Sequence, residues 1–594
     1  MALLLATWGP TAEGEWRRMV DDLTIAPGDV VDDWRSDTGE LRIARGAPMR
    51  EASDRSPIVS RAHCTMVIDG WIDDIEQRGS AAAEVALDAY LRSGPRFASS
   101  LEGEFSFLLH DGAARVLFAG CDAAGARAPA WFCDGHVMVV ASRAVTILKH
   151  SAAPLRWNQR YLAHMVSEIM SMPAELTAFE HVRRIVPGAT LRFELSPRGV
   201  HAGIAFRDAL TATPLPTEQS HIEELLLQTI DAATAKRLGT ARIALALSGG
   251  LDSAVVATSL RQTGRSLDAW ALVDGRHASE ADSMLAAILG RVREIRLHRI
   301  PAEEAYGFGE RGPLTDDPVI AGPAMQVARN LLYRTAAKAG VERVFNGEGG
   351  DELFDIAWRS PRALRHLGVV AVLRDLVFGH RRRQIVARIA EAANLPQAVR
   401  RSVLIPQMRR FVSARPWLTR SFLGSDALGM TYDDCLAASA ADVGPHRIRL
   451  VLDAMQRNYT AQSLAHAAAG LEQASPLLDR RVSRLVSGLS VAVAGQGTGT
   501  KPFFRQAARL RLPRSVVDQT KVEELDAFLC VRALGPTIAA EIEGLRECAP
   551  LCDLIDTDGL EEALRRVDAL SPYERNRAYR LTYLSSWARR VHQR

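Results

Sequence analysis

Apolar positions after residue 220 come in short runs separated by helical spacing. The run Ile243–Leu247 is five small or branched apolar residues, closed by Ser248-Gly249-Gly250-Leu251-Asp252-Ser253 and followed by AVVATSLRQTG to Gly264. It predicts a buried strand, a tight turn, and a helix that opens at Asp252-Ser253 and stops at Gly264. Further strand-like runs stand at 267–274 (LDAWALVD), 294–300 (EIRLHRI) and 341–346 (VERVFN). Helical spacing fills 221–238, 280–289 and 322–339. Alternation of this kind predicts a doubly wound parallel sheet, with ligands at the carboxyl ends of its strands. Before residue 205 the pattern differs. TMVIDGWI, FSFLLHD, RVLFAGCD, HVMVVAS and ATLRFEL read as strands and 81–91 and 158–170 as helices, an α+β arrangement. The Pro- and Thr-rich stretch 211–219 separates a first domain, 1–210, from a second, 219–594.

Composition narrows the class. With 594 residues, 47% of them apolar, the chain can bury two or three cores. Its formal charge of +3 argues against a nucleic-acid partner. The basic excess is almost wholly arginine, for only Lys149, Lys236, Lys338, Lys501 and Lys521 are lysines. Many of those arginines lie in a helical, acid-poor segment at about 358–436, among them Arg359, Arg362, Arg365, Arg381, Arg400, Arg401, Arg409 and Arg410. A solvated face or a groove for an acidic peptide both fit it. Seven scattered cysteines form neither a disulfide framework nor a zinc pattern, which places the chain in a reducing cytoplasm. Leu3–Ala6 is too short for a signal segment and Leu367–Phe378 is broken by Arg374 and Asp375, so no membrane span is expected.

The chemistry centres on the first turn. Gly249 and Gly250 let the backbone close around an anion, while Ser248, Ser253 and the helix N-terminus supply donors. Asp252 would repel phosphates unless a cation lay between them, so it implies Mg²⁺. No G-x-x-x-x-G-K-[ST] run occurs. A second glycine-rich acidic turn, Gly347-Glu348-Gly349-Gly350-Asp351-Glu352, follows the fourth strand and would face the first. Asp351 could then share the ion with Asp252. The nucleotide would lie along the strand ends: Leu247, Ser248, Gly249, Gly250, Asp252 and Ser253 on the first, Leu272 and Val273 on the second, Asn346 and Gly347 on the fourth.

These motifs carry a family resemblance. S-G-G-x-D-S resembles the pyrophosphate loop of enzymes that split ATP to AMP and pyrophosphate, and GEGGDELF resembles the signature G-E-G-S-D-E-[LV]-F of asparagine synthetases. GLEQASPLLD (470–479), Lys501-Pro-Phe-Phe-Arg505 and Leu512-Pro513 are similar to the motifs that follow it. In the first domain, Ile68-Asp69-Gly70, AAAEVALDAYLRSG, LEGEFSFLLHD, LFAGCDAAGARAPAWF and ASRAVTILKH resemble, in order, the class II glutamine amidotransferase domain of those enzymes, an Ntn-hydrolase-like sandwich. Its chemistry is missing. The family's N-terminal cysteine nucleophile is replaced by Ala2, its Asn-Gly-Glu by Asp69-Gly70-Trp71, and its S-D-x-E by residues 80–84. The resemblance therefore implies a degenerate domain without glutaminase activity beside an ATP- and Mg²⁺-dependent adenylating domain. It assigns Lys521 to the α-phosphate and, with Glu348 kept where the β-lactam branch has tyrosine, favours a lasso peptide cyclase. Such an enzyme takes a linear core peptide and works beside a leader peptidase and a leader-recognition protein. Another amide ligase of the family and a non-catalytic peptide-binding scaffold are the alternatives.

Overall fold

The computed structural model describes residues 3–24, 29–48, 58–73, 81–167, 172–196, 198–273, 288, 295–301, 304, 323–355, 397–439, 445–494, 500–518, 538–566, 570 and 572–592. Among the described residues, twelve strands precede residue 208: β1 (Leu3–Trp8), β2 (Asp29–Arg35), β3 (Leu41–Pro48), β4 (Ile58–Arg61), β5 (Cys64–Ile72), β6 (Gly103–Asp111), β7 (Val116–Cys121), β8 (Ala130–Cys133), β9 (Met138–Ala141), β10 (Arg183–Arg184), β11 (Ala189–Ser196) and β12 (Gly199–Arg207). They form two antiparallel six-stranded sheets, ordered β10-β8-β9-β1-β3-β2 and β12-β11-β7-β6-β5-β4.

The period-two alternation of side chains builds the layers. On β1, Leu4, Ala6 and Trp8 face a core shared with Val67, Leu108, Leu117 and Ala119 of the other sheet. Leu3 and Leu5 point the opposite way, toward the helix Gln159–Ser167. The far side of the second sheet, with Met66, Phe105 and Phe107, is covered by the helix Ala82–Ser93. Two sheets face to face with helices outside make a sandwich of the expected α+β kind. β1 belongs to its centre, where the sequence by itself shows only a short apolar patch at Leu3–Ala6. β2, β3, β4, β8, β10 and β12 also went unread.

The second sheet system is wholly parallel: β13 (Ile243–Ala246), β14 (Leu267–Val273), β15 (Ile295–Pro301), β16 (Arg343–Phe345) and β17 (Glu472–Ala474), in the order β15-β14-β13-β16-β17. Ile243, Ala244 and Leu245 pair with Arg343, Val344 and Phe345, so the first and fourth predicted strands are neighbours. Helices cover both faces, Gln219–Lys236, Leu251–Arg261 and Pro502–Ala508 on one and Pro323–Lys338 on the other. Each fully buried aliphatic side chain there contributes about 1.5–3 kcal/mol. Chain order reverses between β13 and β16, the place where such sheets hold ligands. The fifth strand, inside the 470–479 motif, had not been expected. The helix expected over 280–289 and the basic arginines from 359 to 383 lie outside the described residues. The described rest of the basic segment carries the helices Gln397–Ser413, Arg420–Leu423 and Asp426–Ser439. Among the described residues no helix is long and apolar enough to cross a membrane.

The long helix Pro445–Ala468 ties the two parts together. Arg449 donates to the carbonyls of Ala123, Pro187 and Asp208, Gln456 to that of Ile185, and Arg457 to those of Pro173 and Leu176. Buried guanidinium groups thus satisfy buried loop carbonyls of the sandwich.

Candidate active site

The loop after β13 adopts the predicted turn. Gly249 has φ +76, which favours glycine, and Gly250 caps the helix Leu251–Arg261. The Ser253 hydroxyl donates to the Gly250 carbonyl (3.1 Å) and accepts the Ser248 N–H (3.2 Å), and the Ser248 hydroxyl accepts the Gly250 N–H (3.3 Å). These bonds hold the turn around the helix N-terminus, where an anion is favoured. Leu247 is buried at its start, and Leu272 and Val273 end the adjacent strand.

The loop after β16 lies directly against the first. A Cβ on Gly347 would stand 2.7 Å from the Ser253 nitrogen, and one on Gly350 would stand 2.2 Å from Asp252 Cγ. Only glycine permits that approach, so the motif's spacing has a geometric reason. Gly349, at φ +95, turns the chain so that Asp351 and Glu352 begin the short helix Gly350–Phe354. Glu348 faces Arg329 at 3.3 Å, and its N–H donates to Asn346 Oδ1 at 3.1 Å.

Asp252 and Asp351 do converge, and a residue the sequence reading left unassigned joins them. Lys501 Nζ donates to both oxygens of Asp252 (2.7 and 2.5 Å) and lies 2.8 Å from Asp351 Oδ1. The residue is 5% exposed and holds the left-handed conformation, φ 52, at the cap of the helix Pro502–Ala508. Strain of that sort persists where surrounding structure enforces it. Here Phe354 stacks on Phe504 at 4.1 Å, locking the Asp351 and Lys501 helices together. Burial works against the ammonium, yet the carboxylates of Asp252 and Asp351 outweigh it and raise the Lys501 pKa. Glu352 is pushed up to about 7, first by burial and then by the charges of Glu348, Asp351 and Asp252.

This acidic corner suits a bound cation. Two carboxylates already meet at one positive centre, and Mg²⁺ takes one or two protein carboxylates while phosphates and water fill its other positions. Asp252 and Asp351 would hold it. Lys521, the expected α-phosphate lysine, lies outside the described residues. Lys501 could have been found from the sequence as one of five lysines, standing within a quoted motif.

At the described motif positions of the amidotransferase-like domain, side chains lie against arginines. Asp69 pairs with Arg127 at 2.9 Å with both side chains sealed from solvent, and Trp71 lies under the guanidinium of Arg237, 4.6 Å from the ring centre. Asp69, which stands where the family has asparagine, therefore meets a fixed cation. Ala2 and Ser80 lie outside the described residues, while Ala81–Glu84 lead into the outer helix. The thiols of Cys64, Cys121 and Cys133 are all pushed up by burial, which keeps them protonated.

The sequence profile for asparagine synthase matches residues 225–589, and that for a glutamine amidotransferase domain matches 72–200. Among curated proteins, the chain is similar to amidase chyE of Penicillium rubens, 25% identical over 370 residues, covering 58% of this chain and 52% of that protein. It is also similar to amidase chry2 of Gibberella zeae, 24% identical over 305 residues, covering 48% and 44%. The chain spans about half the length of the curated relatives it matches. Among solved structures, an allosteric regulatory enzyme of purine biosynthesis aligns at 12% identity and TM-score 0.26, over 50% of this chain and 80% of that one. Glutamine phosphoribosylpyrophosphate amidotransferase from B. subtilis aligns at 10% and 0.26, over 58% and 90%. Since the asparagine synthase profile spans more than half of the sequence, both glycine-rich acidic loops included, the chain belongs to the asparagine synthase family.

Proposed function

We propose that this protein is a lasso peptide cyclase: it adenylates an Asp or Glu side chain of a linear core peptide and closes a macrolactam with the peptide's own α-amine. The observation that carries the reading is the convergence of Asp252, Asp351 and Lys501 beside the anion-binding turn. A carboxylate is a poor electrophile. Its oxygen bonds to the α-phosphorus of ATP, the bond to the β-phosphate oxygen breaks, and pyrophosphate leaves. The amine then attacks the acyl carbon, AMP departs, and the amine proton passes to Glu348. Mg²⁺, held by Asp252 and Asp351, would supply charge neutralisation to the phosphates. Lys521 is assigned to the α-phosphate and the developing acyl oxyanion, where a placed charge is worth about 3 kcal/mol. Lys501 keeps the two carboxylates together.

The source of the amine separates this reading from its relatives. The sealed Asp69–Arg127 pair and the protonated buried thiols support a first domain that releases no ammonia from glutamine. A second reading, an amide ligase using a separate amine, draws on the relatives named amidases, whose name points to chemistry at an amide. A leader peptidase and a leader-recognition protein are the partners the first reading requires. The test is mass spectrometry of a leaderless core peptide with enzyme, ATP and Mg²⁺. The proposal expects loss of one water per peptide, equimolar AMP, and no ammonia from glutamine above the blank. ADP as product, or an added amine in place of water loss, overturns it.

A further inference from the structure

Several carboxylates of the sandwich domain reach the adenylating domain, and Glu104 is one of them. Glu104 stands on β6 and is 3% exposed, a costly placement for an ion without partners. Its partners lie across the interface. Glu104 Oε1 accepts from Arg237 Nε at 3.1 Å and from the backbone N–H of Ser475 at 3.0 Å. Ser475 is fully buried just after β17. Its hydroxyl accepts from Gln473 Nε2 at 2.8 Å, so its own proton is left for Asn346 Oδ1, 2.9 Å away. That Asn346 oxygen also accepts the Glu348 N–H at 3.1 Å. Three hydrogen bonds therefore run from Glu104 through Ser475 and Asn346 to the residue assigned to the amine.

We infer that Glu104 and Ser475 are positioning residues, through which the amidotransferase-like domain fixes the Glu348 loop for amine attack. The inference rests on the ligase reading above. A second contact joins the same two segments. A Cβ on Gly349 would stand 2.5 Å from Leu478 Cδ2, so the Glu348 loop is seated on the turn that Glu104 anchors. The first domain then has a use apart from glutamine: it buttresses one side of the active site. The donors of the β13 turn lie off this path, whereas Asn346 stands at the strand end assigned to the nucleotide, so the relay acts chiefly on the amide-forming step and less on adenylation.

Three full-length variants test it. Ser475→Ala keeps the backbone N–H for Glu104 but deletes the donor to Asn346, and Glu104→Ala removes the anchor. Glu104→Gln keeps an acceptor for Ser475. In the first two, amide formation should fall about ten- to a hundredfold in kcat, while the KM for ATP and the rate of ATP–pyrophosphate exchange change far less. Glu104→Gln should recover most of the loss. Hydrogen exchange read by mass spectrometry should speed up at the Glu348 amide in Ser475→Ala. Unchanged kcat and unchanged exchange at Glu348 in Ser475→Ala overturn the inference, as does a loss confined to the KM for ATP. Should Glu104→Ala fail to fold, Ser475→Ala decides. Absence of pyrophosphate exchange in the wild type overturns the ligase reading instead, and the Glu348 amide then judges the relay by itself.

Discussion

Lys501 shows how much one side chain decides here. Its ammonium neutralises two carboxylates that would otherwise face each other beside an anion site. Lys501→Met keeps the stem and removes the charge. Pyrophosphate exchange should fall about a hundredfold, the usual cost of one preorganised charge. The melting temperature in Mg²⁺-free buffer should fall as well, because Asp252 and Asp351 then repel across a short gap. Millimolar Mg²⁺ should restore much of that melting temperature in the variant. A melting temperature that ignores Mg²⁺ would mean the two carboxylates do not share the ion. Lys501→Arg should not rescue activity, since a planar fork replaces a compact ammonium poorly between three closely set oxygens.

At the scale of elements, the two loops meet only because they carry glycine where they touch. Gly350→Ala should abolish turnover, for its methyl group would fall 2.2 Å from Asp252 Cγ, a distance no rotamer change of the methyl can relieve. The substitution leaves β13 and β16 untouched, so far-ultraviolet circular dichroism should match wild type; normal turnover would show that the loops separate more readily than their packing implies. The loops and their strands were legible beforehand because short apolar runs ended by Ser-Gly-Gly and Gly-Glu-Gly-Gly mark strand, turn and helix in a few residues. Other elements carry weaker marks. β1 is buried on both faces, so no polar alternation announces it. β2 holds Asp29, Asp32, Asp33 and Arg35 and lies at a sheet edge, where polar side chains reach water. β17 is three residues long and exists through its pairing with β16. Lys501 was visible as a motif residue, but its contact with Asp252 spans 249 positions, and no local pattern reports that.

For the molecule as a whole, a cluster of buried ion pairs forms one part of the join between its two halves. Asp479 caps the helix Arg480–Ser487 and accepts from Arg237 Nη1 at 2.6 Å and from Arg481 Nη2 at 2.7 Å. Asp73 of the sandwich domain meets Arg481 from the other side at 2.7 Å, and Glu104 shares Arg237. Burial alone would raise the Asp479 pKa, but the charge of Arg237 and the bonds from Arg481 hold it well below the ordinary 3.8. Its folded pKa thus lies under the unfolded one, so its stabilisation is complete above pH ~5 and fades as pH drops through 4. Asp73 and Glu102, both raised first by burial, act in the opposite sense and gain as pH falls. Asp479→Asn removes the depressed group and leaves Arg237 with a buried, partly compensated charge. At pH 7 the variant should lose about 3 kcal/mol, the cost of breaking a buried pair. Because the wild type forfeits the same contribution in acid, denaturant unfolding of the two proteins should converge as pH falls below 4. A difference that stays constant from pH 7 to pH 3 would mean that Asp479 acts through its neutral hydrogen bonds and not through charge.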